Sequence, residues 1–199
     1  MAATFDLDPA FVFHHINAFE DGDDVVLDVC SHRDDSAVQD LYLKKIRRGN
    51  RVSQARVRRL TLKPGSGKVA SRTISAGNFE LPRIDYDRFS QRAYRYAYGV
   101  GTRHPGTGGF INEIAKVDVK KGERISWHQR EQFPGEPVFV AAPGARGEDD
   151  GVVLSVVLDG NRGSSYLLVL DARDLSTVAT AAVPHHIPFG FHGLHSARA

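Results

Sequence analysis

Cys30 is the only cysteine in the sequence, which excludes an intrachain disulfide framework and any Cys-x-x-Cys zinc or redox motif. Long apolar runs are missing too. The longest, such as 152–158, have the length of a strand and are far too short to cross a bilayer as a helix. The opening MAATFDLDPAF has neither a basic head nor an apolar core, so no secretory signal is expected and the cytoplasm is the expected compartment. Neither sign of charge dominates: 26 Lys and Arg stand against 24 Asp and Glu, a net charge of +2, which argues against nucleic acid as a partner. Helical periodicity is also lacking, because no window carries a convincing apolar stripe at 3.6-residue spacing.

Short apolar runs of strand length are abundant. They fall at 11–19, 25–31, 41–46, 55–62, 68–75, 95–101, 111–119, 124–130, 137–143, 152–159, 165–171 and 177–183. Several alternate with period two, as in Arg56-Val57-Arg58-Arg59-Leu60-Thr61-Leu62. Turn residues punctuate them at Asp21-Gly22-Asp23, Pro64-Gly65-Ser66-Gly67, Lys121-Gly122-Glu123 and Asp159-Gly160-Asn161. The pattern predicts an all-β chain forming one domain, 1–199, as a sandwich, barrel or propeller. A recurring strand–Asp–turn–strand unit, at 117–122 and again at 170–175, favours blade-like hairpins. Gly49-Asn50 suggests that 41–59 is a hairpin. On that reading the eight basic residues between Lys44 and Arg59 line its solvated face and do not form an anion-binding patch. The acidic run Glu20-Asp21-Gly22-Asp23-Asp24 lacks the ligand spacing of a calcium loop and reads as a tight turn.

The nine histidines carry the chemistry: His14, His15, His32, His104, His128, His185, His186, His192 and His195. No Gly-x-Ser-x-Gly or His-Glu-x-x-His motif accompanies them. His14 and His15 are adjacent on a strand, so only one of them can face a given site. A lone strand histidine is more often a hydrogen-bonded core residue than a ligand. Four more lie in the tail PHHIPFGFHGLHS (184–196), where glycines flank the segment around His192. Spacing alone leaves these histidines as possible metal ligands and goes no further.

Several segments resemble the carotenoid cleavage oxygenase family, which includes apocarotenoid and lignostilbene dioxygenases and the retinoid isomerase of the eye. FVFHHINAFEDGDDVVLDVC (11–30) is similar to the family's His-x-x-Asn-Ala-aromatic-Glu motif, with its acidic turn and following strand. FELPRIDYDRF (79–89) and YRYAYGVG (94–101) resemble its Phe-Glu-aliphatic-Pro stretch and the signature after it. FPGEPVFVAAPGARGEDDGVVLSVVLD (133–159) and SYLLVLDARDLSTVATAAVPHHIPFGFHG (165–193) resemble its closing segments.

The resemblance implies a seven-bladed β-propeller with Fe(II) on its axis, held by four histidines, and O2 as co-substrate for cleaving a C=C bond of an apolar polyene or stilbene. It implies His14 and His192 as two of the metal ligands, with His15 facing away. Glu80 and Glu136 would hydrogen-bond His14 and His192 from behind. Imidazole suits ferrous iron, and a carboxylate on the remote ring nitrogen fixes its orientation. In the family pattern the other two histidine ligands and one further glutamate lie upstream of the His14 motif, and His32, His104 and His128 do not match them. The chain is therefore expected to form the C-terminal three to four blades and to be incomplete as an enzyme by itself. A missing N-terminal half, self-association and peripheral membrane contact are the partner expectations. A non-catalytic half-propeller that binds apolar ligands or another chain is the alternative.

Overall fold

The computed structural model describes residues 3–49, 51–103 and 110–196; Asn50 and His104 lie outside them. Three antiparallel sheets follow one another along the chain. The first has the order β1 (Phe11–Asp21), β2 (Asp24–His32), β3 (Arg56–Lys63), β4 (Lys68–Ser75). The second runs β5 (Glu80–Arg83), β6 (Tyr96–Gly101), β7 (Glu113–Asp118), β8 (Arg124–His128). In the third, β10 (Val138–Ala141), β11 (Gly151–Asp159), β12 (Ser164–Asp171) and β13 (Thr177–Ala182) are neighbours in that order, and β9 (Gln132–Pro134) also pairs with β11.

Neighbouring strands pair because short turns join them. Asp21 pairs with Asp24 across a turn in which Gly22 takes φ +62°, so the acidic run is a tight turn as expected. A second turn type repeats in three hairpins and once more after β12. In each, the amide of residue i+4 donates to the carbonyl of residue i: Gly67 to Lys63, Gly122 to Asp118, Gly163 to Asp159, and Leu175 to Asp171. The i+4 residue has positive φ in all four, including Leu175 at +61°. A leucine there costs roughly 1–2 kcal/mol of backbone strain, offset by burial of its side chain against the third sheet.

The middle sheet is covered on both faces. Ala97, Ala115 and Val117 face the first sheet, where they meet Phe19, Val26, Cys30 and Val57. Tyr98, Ile114 and Trp127 face the third, against Val153, Val157, Leu168 and Leu170. All six residues of β7 are therefore buried, including Lys116, whose ammonium bonds Asp149 at 2.6 Å and lies over the Tyr96 ring. By contrast, β13 is exposed throughout.

The structure corrects the reading of 41–59 as a hairpin. Residues 33–49 and 51–55 leave the sheet as an excursion carrying α1 (Ser36–Asp40) and α2 (Leu43–Ile46), while β2 pairs directly with β3. Because β2 and β3 bond each other directly, no strand is inserted between them, and the helix-forming Leu and Lys residues close short helical turns. The basic run is thus divided: Lys44 and Lys45 are in α2, Arg47, Arg48 and Arg51 in the connection, and Arg56, Arg58 and Arg59 in β3. Arg59 does not belong to a solvated face: it forms a two-pronged bond to the fully buried Asp28, which also accepts from the Tyr94 hydroxyl. The short strands β5 and β9 are additions to the sequence reading; Pro82 and Pro134 hide them.

Candidate metal centre

Two bulges shape the first strand. Val12 and His15 sit opposite Ser31 and Val29, and Asn17 sits opposite Asp28, so β1 carries extra residues relative to β2 at both steps. Bulges bend a strand and re-aim its side chains. Here they leave His15 exposed and turn His14 toward β5. Asn17 anchors the bend: its side-chain amide donates to the carbonyls of Phe89 and Arg92 and accepts from the Gln91 amide.

His14 Nδ1 lies 2.6 Å from Glu80 Oε2. Glu80 opens β5, and Leu81 beside it has φ +48°, a strained value that aims the Leu81 amide at the same Oε2. His192 comes from the tail, and its Nδ1 lies 3.0 Å from Glu136 Oε1. Glu136 Oε2 accepts from the Gly193 amide at 2.7 Å and from Arg83 Nη2 at 3.0 Å, and the same guanidinium nitrogen donates to the Gly193 carbonyl. Arg83 Nε is also 3.0 Å from Glu136 Oε1, but without the alignment of a hydrogen bond.

The two imidazoles meet at the far ends of these bonds. His14 Nε2 and His192 Nε2 are 3.4 Å apart. Burial raises the pKa of both glutamates, but hydrogen bonds outweigh it: from His14 and His32 onto Glu80, and from Arg83, His192 and Gly193 onto Glu136. Both carboxyls end below their ordinary value and are ionised at neutral pH. An ionised carboxylate only accepts, so each Nδ1 carries its ring's proton and each neutral ring presents a bare lone pair at Nε2. Two acceptors face each other, and a cation between them, a proton or a metal ion, satisfies both. Two nitrogens bound to one first-row metal at about 2.1 Å lie roughly 3.0–3.4 Å apart for angles between square and tetrahedral. The pair therefore fits a metal ion. Among the described residues, however, no group of three or more His, Cys, Asp or Glu side chains gathers around one point.

The structure thus brings His14, Glu80, His192 and Glu136 together, across 178 residues between the two histidines. His128 is elsewhere, bonded to the Asn112 carbonyl, and His185, His186 and His195 are exposed. Sequence reasoning missed two residues. Arg83 is one. The other is His32, whose Nε2 lies 2.7 Å from Glu80 Oε1. A signal for it existed: Asp28, Cys30 and His32 alternate along β2 and so share its core-facing side.

Beside Glu136 and His192 lies a cavity of about 340 Å³, lined by Phe133, Leu154, Phe189 and Phe191 among others.

Comparison with known proteins agrees with this architecture. Residues 2–197 match the family of the retinal pigment epithelial membrane protein. The mitochondrial carotenoid-cleaving dioxygenase of Mustela putorius furo is 34% identical over 93% of this chain and 41% of its own length. The chloroplastic carotenoid cleavage dioxygenase 8 homolog A of Oryza sativa subsp. japonica is 38% identical over 96% of this chain and 36% of its own. The crystal structure of cobalt-substituted Synechocystis ACO superposes with a TM-score of 0.82 at 28% identity, covering 96% of this chain and 40% of that one. A Synechocystis apocarotenoid oxygenase mutant gives 0.80 at 29% identity, over 92% and 39%. The chain spans about two fifths of the length of these relatives. With its three antiparallel sheets arranged as in those β-propellers, it belongs to the carotenoid cleavage oxygenase family, that of the retinal pigment epithelial membrane protein.

Proposed function

We propose that this chain supplies the His14–His192 part of a non-haem Fe(II) centre in an oxygenase that cleaves a C=C bond of a carotenoid, apocarotenoid or stilbene-type substrate. One observation carries the reading: two imidazoles, each held from behind by a carboxylate, turn their free nitrogens toward one point 3.4 Å across. Iron, when bound, activates O2 for the cleavage. The chain's own residues do the positioning. Glu80 and Glu136 keep the Nδ1 protons in place, so that both Nε2 lone pairs are available to the metal. Arg83 neutralises Glu136 and ties the Gly193 carbonyl to it, which fixes the tail that carries His192. The cavity beside His192, lined by Phe133, Leu154, Phe189 and Phe191, offers apolar contact to a polyene. The three sheets are, on this reading, blades of a seven-bladed propeller with β1, β5 and β10 innermost. The remaining two histidine ligands come from residues outside this chain's site.

The test is reconstitution. The chain is co-expressed with the complementary N-terminal part of a relative, loaded with Fe2+, and assayed for cleavage of an apocarotenoid by product chromatography. Cleavage is expected with the wild-type chain and none with His192→Ala. Glu136→Ala should lower it roughly 10–100-fold, the usual loss when a ligand histidine's partner is removed. Equal cleavage by the wild-type and His192→Ala chains overturns the assignment. A well-formed complex with no cleavage at all supports the non-catalytic half-propeller instead.

A further inference from the structure

Glu80 is shared between two imidazoles. Its Oε2 takes His14 Nδ1 at 2.6 Å and the Leu81 amide at 3.2 Å, while its Oε1 takes His32 Nε2 at 2.7 Å. His32 is nearly inaccessible, with 4% of its side chain exposed. Its ring sits edge-to-face with Phe13 at 5.5 Å and near Phe11 at 6.2 Å. On its other side Nδ1 meets Ser53 Oγ at 3.1 Å. Ser53 is itself fixed, because its amide donates to Asp40 Oδ2 at 3.1 Å. The excursion between β2 and β3 therefore ends by delivering a hydroxyl to His32.

The hydrogen bonds run in one direction. Since Glu80 only accepts, His32 Nε2 must donate to it, which leaves His32 Nδ1 as the acceptor of the Ser53 hydroxyl proton. A carboxylate held by one oxygen can rotate about its last bond; held by both, it cannot. We propose that His32 is a positioning residue for His14: by holding Glu80 Oε1, it pins Oε2 on His14 Nδ1, fixing the proton there and aiming the Nε2 lone pair at His192. The inference rests on reading His14 as a metal ligand. Glu136 has a different second partner, the guanidinium of Arg83, so the two ligand histidines are oriented by unlike devices.

The variants His32→Phe, His32→Gln and His32→Asn separate this role from packing. Phe fills the volume without a donor. Gln carries its amide nitrogen about where the imidazole has Nε2, whereas Asn does not reach that far. Two readouts are made on the chain itself: the His14 tautomer by long-range ¹H–¹⁵N NMR, and Co2+ affinity by titration of the visible absorption of the cobalt ion. Wild type and His32→Gln should hold His14 as the Nδ1–H tautomer. In His32→Phe and His32→Asn the tautomers should mix, and Co2+ affinity should fall about tenfold. A His32→Phe chain with wild-type tautomer and affinity overturns the proposal, as does a His32→Gln chain no better than His32→Asn. If His32→Phe does not fold, the Gln and Asn pair decides. A wild-type chain that takes up no Co2+ counts against the metal-ligand reading, while the tautomer comparison still decides the role of His32.

Discussion

At the centre of the site the ionisation of single carboxylates sets the response to pH. The Glu80 carboxyl is buried, yet His14 and His32 hold its pKa below the ordinary 4.5. A folded value below the unfolded one means that the group's stabilisation is fully present above about pH 4.5 and is lost as pH falls through the folded value. Glu80→Gln removes this contribution. The difference in urea midpoint between wild type and Glu80→Gln should therefore be constant at neutral pH and shrink below about pH 4.5. A gap unchanged down to pH 3 would show that the carboxylate charge does not matter to folding. The four residues His14, Glu80, Glu136 and His192 were legible in the sequence only through family motifs, because their spacing says nothing of where they meet. His32 was legible in principle, from the alternation of Asp28, Cys30 and His32, but not as a partner of Glu80: β5 itself was hidden behind Pro82.

At the level of elements, β6 shows how composition sets packing around a strand. Ala97, Gly99 and Gly101 alternate along it and present almost no side chain on one face. A methyl group on Gly99 would fall 2.7 Å from the Phe79 ring and 2.9 Å from the Glu80 carbonyl. On Gly101 it would fall 2.5 Å from Arg124 Nη2 and 2.6 Å from Glu113 Oε1, into an ion pair that is itself largely buried. Gly101→Ala should destabilise the chain by about 1–3 kcal/mol, read as a lower urea midpoint with unchanged slope. No loss would mean that the Arg124–Glu113 pair yields without cost. Eleven of the twelve apolar runs in the sequence became strands, since pairing between neighbours needs only short turns and alternation. The run at 41–46 did not, because β2 and β3 already pair with each other and leave it no partner. Six residues of Leu, Tyr, Lys and Ile cannot reveal that.

For the molecule as a whole, the unequal burial of the sheets is decisive. The middle sheet is packed on both faces, but the third has a sheet on one side only. Val153 and Val157 of β11 are fully buried, whereas Val156 between them is 39% exposed. The tail covers part of that outer flank and leaves Phe189, Phe191 and Leu194 largely open. An uncovered apolar flank next to the exposed strand β13 promotes association. The isolated chain should self-associate in sedimentation experiments, and Val156→Lys should reduce this while leaving thermal stability within about 0.5 kcal/mol, as for other surface changes. A wild-type chain that stays monomeric at high concentration would show that the tail is cover enough.

The distance along the chain between His14 and His192 has a consequence for biosynthesis. Each sheet is made of consecutive strands, so it can form as its hairpins leave the ribosome. The histidine pair cannot: it waits for the segment 184–193, which follows all three sheets in the sequence. A product ending at Pro184 would keep the strands β1 to β13 and lose His192. Assembly of the histidine pair thus requires residues beyond β13, and a cut before His192 separates one imidazole from the other.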